Sequence, residues 1–259
     1  MDQAATSTPI LNRVVPRPPW DEPRTRRLPG ISPLDMEDWI WVLDSYPGQM
    51  AERERLLYSV PDLVHALPAD AMPAALELYD FVVAQLLERT DFRKEDEYMR
   101  CPDGRRVHLD RSAPLLTLAR LVQEDLCLLL KPSGGKEHLL AAAVLCFPAS
   151  WTLAEKLGRP MTAIHGPVAA YDDALSRRVQ RLLDGVQPNR PLWRANMLWY
   201  HEPALFQPRS ERDSQRVDAE SATFLRSERQ CLFRLPESNA VVFSIHTIVM
   251  ERGAVAKHR

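Results

Sequence analysis

The sequence predicts an α+β fold in which a helical N-terminal region precedes a five-stranded antiparallel sheet with helices on one face. The first half of the chain repeats apolar residues at the spacing of amphipathic helices. The second half has two apolar runs of strand length around a Ser-Gly-Gly turn, and three strand-like runs close the chain. The expected order is therefore helices, a hairpin, a helical excursion and a three-stranded meander.

The N-terminal part divides into an arm and a helical region. Residues 1–30 are expected to form an extended or disordered arm, because seven of the 22 prolines lie within residues 1–33 and no apolar periodicity is present. Residues 31–120 form the helical region. Its first helix is expected over LDMEDWIWVLDSY, with Ser32 as the N-cap and Pro33 at the first helical position. Further helices are expected over QMAERERLLYS, PAALELYDFVVAQLLERT and SAPLLTLARLVQE.

Residues 121–250 are expected to form the core, and residues 251–259 a basic tail. EDLCLLLKP and EHLLAAAVLCF predict a β-hairpin, although their Leu and Ala content leaves helix as the alternative. Two helices follow, with Gly158 and Gly185 as C-caps. PLWRANMLWY, TFLRSERQCLFRL and AVVFSIHTIVM then form the meander. This is the element order of the PAS scaffold, so we expect a PAS-like core with a pocket for a flat cofactor between helices and sheet.

The composition is that of a globular protein, with 45% apolar and 26% charged residues over 259 positions. It excludes collagen-like, disordered and disulfide-scaffold classes. A net charge of −2 gives no basic excess for binding nucleic acid or an acidic membrane. No run of 18 apolar residues is present and the N-terminus lacks the order of a signal peptide, so we expect a cytoplasmic protein. The four cysteines form no C-x-x-C pair and are expected to be reduced core residues.

Two of the seven histidines stand out, in a chain that lacks the motifs of dinucleotide, nucleoside-triphosphate, zincin and α/β-hydrolase sites. His165 ends an apolar segment before a Gly-Pro break, where its imidazole suits an axial ligand of haem iron. The alternative is a core histidine that is hydrogen-bonded to a backbone carbonyl. His246 shares a strand face with Val242 and Ser244, and that face either lines the pocket or meets solvent.

The run FLRSERQCLFRL is unusually polar for a strand. Alternation puts Arg226, Glu228 and Gln230 on one face and Arg229 on the other. An Arg-x-Glu pair on one face can position a bound polar group, and the alternative is a solvated outer face. Arg194 and Asn196 repeat the pattern on the preceding strand, which favours a lined cavity.

Four segments of the chain resemble the haem-dependent oxidative N-demethylase alpha-subunit-like proteins, in the same order and over roughly residues 28–250. They are LPGISPLDMEDWIWVLDSYPGQMAERERLL, VLCFPASWTLAEKLGRPMTAIHGPVAAY, RANMLWYHEPALFQP and LRSERQCLFRLPESNAVVFSIHTIV. The most specific blocks are C-F-P-x-x-W…K-x-G…I-H-x-P-V and R-x-E-R-Q…R-L-P-x-S. The sequence departs from the family pattern at Ala169 and Met197, which leaves the identity of the substrate open.

The resemblance implies a haem-binding PAS-like enzyme that oxidises a small amine or amino-acid-like substrate with dioxygen. The implied cofactor is haem b, with His165 as the iron ligand and the electrons supplied by a separate protein. The resemblance and the polar strands together give two residue sets. The cofactor-binding set is His165, Arg194, Tyr171 and His246, and the catalytic set is Arg226, Glu228, Arg229 and Asn196. The alternatives are a haem-PAS gas sensor or binding module without turnover, and a small-molecule binder without a cofactor.

Overall fold

Two antiparallel sheets organise the protein, and the α+β prediction is confirmed. The computed structural model describes residues 8–22, 30–160, 163–164, 173–209 and 219–257. The large sheet has seven strands in the order β1-β8-β9-β10-β6-β7-β2. Its strands are β1 (Ser32–Pro33), β2 (His65–Ala66), β6 (Asp125–Leu130), β7 (Leu139–Val144), β8 (Leu192–Tyr200), β9 (Phe224–Arg234) and β10 (Val241–Glu251). The small sheet is formed by β3 (Arg93–Glu95), β4 (Tyr98–Arg100) and β5 (Arg106–His108).

The predicted hairpin and meander form the five central strands of the large sheet. β6 pairs with β7, and β8, β9 and β10 pair in succession. β10 also pairs with β6, which joins hairpin and meander into one sheet. Strand pairing satisfies the backbone of the two Leu-rich and Ala-rich runs, so the helical alternative for them is wrong. The two-residue strands β1 and β2 extend the sheet at its edges to seven strands, beyond the expected five.

Four helices lie in the N-terminal region: α1 (Tyr46–Ser59), α2 (Pro61–Val64), α3 (Met72–Leu87) and α4 (Pro114–Leu121). α1, α3 and α4 match three of the predicted helices. The small sheet between α3 and α4 was not predicted, because its three-residue strands are too short and too polar to show alternation. Asp96 makes the first turn of this sheet possible by adopting a φ of 54°.

The helix predicted at Ser32-Pro33 is wrong. These two residues form β1, and between β1 and α1 the chain forms only a 3-10 turn at Met36–Asp38. Side chains distant in the sequence take the backbone N–H groups that a helix would use: Glu124 Oε1 accepts from Trp41 at 3.1 Å, and Gln123 Oε1 accepts from Leu43 at 3.1 Å. The helical spacing of apolar residues here reflects burial of an irregular segment.

The helical excursion contains α5 (Leu153–Lys156) and α6 (Asp173–Gly185), and the chain ends in α7 (Arg252–Lys257). Gly158 lies just beyond α5 with a φ of +73°, as expected of a glycine C-cap. Among the described residues, no helix combines the length and apolar character needed to cross a bilayer.

The two faces of the large sheet pack against different helices. One face, which includes Leu128, Phe233 and Val242, packs on α1, α3 and α4 and is called the N-terminal face. The other, which includes Leu129 and Ile245, packs on α5 and α6 and is called the α6 face. The sheet therefore separates two environments that β9 and β10 both reach.

Candidate functional site

Alternation along β9 divides its charged residues between the two faces, as the sequence predicts. Glu228 lies opposite Asn196 of β8 and Thr247 of β10, and Gln230 lies opposite Arg194. Opposed residues of antiparallel strands project to the same side of the sheet. The α6 face thus carries a set of polar residues that we call the polar cluster: Arg194, Asn196, Arg226, Glu228, Gln230 and Thr247.

Glu228 is the anionic centre of the polar cluster and is only 8% exposed. Its Oε2 accepts hydrogen bonds from Asn196 Nδ2 at 3.0 Å and from Gln230 Nε2 at 3.1 Å. Asn196 Oδ1 accepts from the Glu228 backbone N–H at 2.9 Å. These bonds fix the plane of the carboxylate and direct Oε1 towards Arg226, whose Nε lies 3.7 Å away.

Arg226 ties two loops to the polar cluster. Its Nη2 donates to the carbonyl of Phe147 at 2.6 Å, beyond the end of β7, and its Nη1 donates to the carbonyl of Leu205 at 3.0 Å, beyond β8. Its Nε is buried and has no hydrogen-bond partner among the described residues. Arg226 therefore presents one free donor beside the Glu228 carboxylate.

Arg194 and Thr247 add two more unused polar atoms. Arg194 Nε and Thr247 Oγ1 are buried and lack a partner within the described part of the chain. Desolvation lowers the pKa of Arg194, and the negative charge of Glu228 partly opposes this shift. Buried donors in native proteins are commonly satisfied by a bound ligand or water when no protein group does so. Ile245 lies directly opposite Gln230, so the polar cluster borders the apolar residues of the same face.

Arg229 and His246 are not part of the polar cluster, because both lie on the N-terminal face. Arg229 donates to the backbone carbonyls of Trp39 at 2.8 Å and Asp38 at 2.7 Å, and its guanidinium stacks on Trp41 at 4.3 Å. His246 is buried, and its Nδ1 lies 3.0 Å from Oε1 of Glu124, also buried. Neither residue faces solvent, and neither reaches Arg226 or Glu228.

His165 and Tyr171 lie outside the described residues. The residue before His165, Ile164, is 7% exposed and belongs to the apolar cluster of the α6 face. Lys156 Nζ donates to the Ile164 carbonyl at 2.8 Å, which fixes the chain immediately before His165.

Sequence reasoning missed Thr247, although the available signal was strong. The alternation that puts His246 on one face necessarily puts Thr247 on the other, beside Glu228. It also missed the anchoring role of the Phe147 carbonyl, because every residue has a backbone carbonyl and the sequence does not mark which one accepts from Arg226.

A family model described as haem-dependent oxidative N-demethylase, alpha subunit-like, matches residues 30–258. The chain belongs to this family. The match confirms the resemblance drawn from the four sequence segments and extends it to the final helix. The family's description points to a haem-dependent oxidative enzyme and to an alpha subunit, hence to a partner subunit.

Proposed function

We propose that this protein binds haem b against the α6 face and oxidises a small amine or amino-acid-like substrate with dioxygen, in the manner of a monooxygenase. Electrons would come from a separate partner protein. The observation that carries the proposal is the polar cluster, in which a buried carboxylate lies beside buried donors without partners, in a member of this family.

A PAS-like core is the structural part of the proposal, with residues 121–250 as the cofactor domain, 31–120 as a helical N-terminal region, 1–30 as an arm and 251–259 as a tail. Its support is that hairpin, helices and meander follow in the expected order. The last strand of the meander also pairs with the first strand of the hairpin. The face carrying the polar cluster is the one that α5 and α6 cover.

The chemistry of the described residues suits a haem. A porphyrin needs an apolar surface for its ring and cations for its propionates. The α6 face offers Ile245 and the half-buried Phe243 for the ring, and the buried Nε of Arg194 suits a propionate oxygen. We assign the iron to His165, which follows the buried Ile164 of the same face, and place Tyr171 beside the cofactor. His246 would need to cross the sheet to serve as a ligand, so we assign it a structural role. When bound, haem supplies the activation of dioxygen.

Within this site the polar cluster would bind and orient the substrate. Glu228 Oε1 is placed to accept a hydrogen bond from a substrate ammonium group, while Asn196 and Gln230 hold the other oxygen. Arg226 Nε is placed to donate to a developing negative charge or to a substrate carboxylate. Arg229 lies on the opposite face, so we propose that it orders the segment before α1 and does not touch the substrate.

The absorption spectrum of freshly purified protein tests cofactor binding. We expect a Soret band that is lost or strongly weakened in His165→Ala and retained in His246→Ala. His246→Ala is a matched control, because it also removes a histidine from the core region of the chain. A wild-type protein that fails to bind added haem, or a His165→Ala variant with a wild-type spectrum, would overturn the assignment.

Turnover separates an enzyme from a gas sensor. We expect small secondary amines to perturb the spectrum of the ferric protein. In air-saturated buffer, with a chemical reductant that supplies two electrons per turnover, we expect release of an aldehyde and the dealkylated amine, with the second oxygen atom of dioxygen leaving as water. Glu228→Gln should weaken amine binding, because it removes the charge that attracts the ammonium group. Dioxygen uptake without product, and indifference to a broad panel of amines, would favour the sensor.

A further inference from the structure

We propose that Arg53 and Asp125 are positioning residues for Arg226, acting from α1 and from the start of β6 through the peptide group of Phe147. The inference rests on the proposed function only in assigning a use to Arg226 and Glu228. The contacts that carry it involve described residues alone.

The first link is an ion pair between α1 and the start of β6. Arg53 Nη1 donates to Asp125 Oδ1 at 2.7 Å, and both side chains are almost completely buried. The other donors of the guanidinium bind the backbone carbonyls of Ala119, Gln123 and Glu124. Arg53 is therefore held in one orientation by three carbonyls besides the carboxylate, which compensates for burying its charge.

The second link fixes the chain at the end of β7. Asp125 Oδ1 accepts from the Cys146 N–H at 2.8 Å, and Oδ2 accepts from the Phe147 N–H at 2.9 Å. The Arg53 guanidinium also lies 5.3 Å from the centre of the Phe147 ring. Both the backbone and the side chain of Phe147 thus contact the buried ion pair.

The third link crosses to the α6 face. The Phe147 carbonyl accepts from Arg226 Nη2 at 2.6 Å, a shorter bond than the 3.0 Å bond from Arg226 to Leu205. This bond and the bond to Leu205 leave Arg226 Nε pointing towards Glu228 Oε1. A buried ionic network of this kind orients the groups it ends on, as hydrogen-bonded partners orient the ligands of a metal. The placement of the free donor beside Glu228 therefore depends on a carboxylate that is not itself in the polar cluster.

The arginine Nε–H signal of Arg226 reports this placement without haem or substrate. In ¹⁵N-labelled full-length protein, the Arg226 signal is identified by its loss in Arg226→Lys. We compare its chemical shift and hydrogen-exchange rate in Asp125→Asn, whose side-chain amide turns a donor towards the Phe147 N–H. The matched control is Tyr46→Phe, which removes another buried hydrogen bond of α1, that from Tyr46 Oη to the Leu121 carbonyl.

We expect Asp125→Asn to shift the Arg226 signal and to accelerate its exchange by about tenfold or more, with no such change in Tyr46→Phe. Arg53→Lys, which keeps the charge but loses the carbonyl contacts and the contact with Phe147, should act in the same direction. A folded Asp125→Asn variant with wild-type shift and exchange would overturn the proposal.

A measurement on the wild type decides the matter if the variants do not fold. The Arg226 Nε–H has no hydrogen-bond partner among the residues that the structure describes and is shielded only while the Phe147 carbonyl holds the guanidinium in place. The opening that exposes the Phe147 amide should therefore also expose the Arg226 Nε–H, and the two protons should show similar protection from exchange. Protection of Arg226 that is lower than that of Phe147 by about tenfold or more would overturn the proposal. A wild-type protein that binds no haem would overturn the proposed function but leave these signals, and this inference, intact.

Discussion

Asn196 and Glu228 face each other on neighbouring strands and exchange two hydrogen bonds, one from the backbone N–H of Glu228 and one to its carboxylate. The side-chain amide of Asn196 therefore adds a contact between β8 and β9 that the strand ladder does not require. It also leaves Oε1 as the Glu228 oxygen that is not occupied by an amide. The buried carboxylate is oriented before any ligand arrives.

Replacing Glu228 by Gln should destabilise the protein by about 1–3 kcal/mol. The amide keeps an oxygen for Asn196 and Gln230 but turns a donor towards Arg226, whose buried cation loses its nearby negative charge. Arg226 retains its carbonyl partners, so the loss should be smaller than the value of about 3–5 kcal/mol for a directly hydrogen-bonded buried pair. Urea unfolding measures it. The exposed Glu202→Gln is the control and should change stability by less than about 0.5 kcal/mol; equal effects of the two would mean that Glu228 is solvated.

The buried pair of Glu124 and His246 should matter for stability and not for the cofactor. Glu124→Gln removes a charge that is 1% exposed and accepts from the Trp41 N–H, so we expect a loss of about 1–3 kcal/mol. Haem content, measured from the Soret absorbance per protein, should not change, because the pair lies on the N-terminal face. Loss of haem from a folded Glu124→Gln variant would contradict this separation of the two faces.

Because its cysteines are buried, the protein should have a lower free energy of unfolding in alkali. Burial raises the pKa of the Cys146 and Cys231 thiols to about 12, and it also raises the pKa of Cys101 and Cys127. In the unfolded chain a thiol ionises near pH 8.5. Above that pH the unfolded state binds fewer protons than the folded state, so stability falls as the pH rises towards the folded pKa. The expected slope is about 1.4 kcal/mol per pH unit for each buried thiol.

Urea unfolding between pH 9 and 10 checks this slope. Cys231→Ala should make it shallower by about 1.4 kcal/mol per pH unit, and a thiol reagent at pH 8 should label the wild type only after unfolding. An unchanged slope in the variant, or rapid labelling of the folded protein, would show that the thiols are accessible.

Replacing Gly158 and Gly185 by alanine should change the stability of the protein in opposite directions. A Cβ at either position meets no atom within 4 Å, so packing does not distinguish them. Gly158 has a φ of +73°, and alanine there should cost about 1–2 kcal/mol. Gly185 is the last residue of α6 and lacks a positive φ, so alanine should stabilise it by about 0.4–1 kcal/mol. Thermal unfolding of the two variants measures both changes in stability. If alanine destabilised the protein at both positions, the conclusion that Gly158 is a glycine C-cap and Gly185 is not would be wrong.

Periodic signals made most of the fold predictable. The sequences of α3 and β9 each carry a pattern that belongs to one element and needs no distant partner. The segment from Met36 to Leu43 carried a helical pattern too, but its backbone donors bind side chains about 80 residues away. The sequence pattern of this segment cannot show that Gln123 and Glu124 bind its backbone.

For the candidate site, the sequence predicted only the face of the strand on which each residue lies. Alternation along β9 correctly separated Arg226 and Glu228 from Arg229, yet it could not say which helices cover each face. The ion pair of Arg53 and Asp125 was invisible for the same reason, since 72 positions separate the two residues. Strand periodicity gives the side of a residue, and the tertiary fold gives its neighbours.

Both faces of β9 carry charged residues that are held by specific contacts. Arg226 and Glu228 occupy its α6 face, and Arg229 anchors the opposite face to the segment before α1. A deletion or insertion of one residue would exchange these roles along the rest of the strand. β9 itself should therefore tolerate few changes. In a library of random variants, the depleted positions of β9 should form an unbroken run, without the alternate-residue pattern of a strand that has one solvent-facing side.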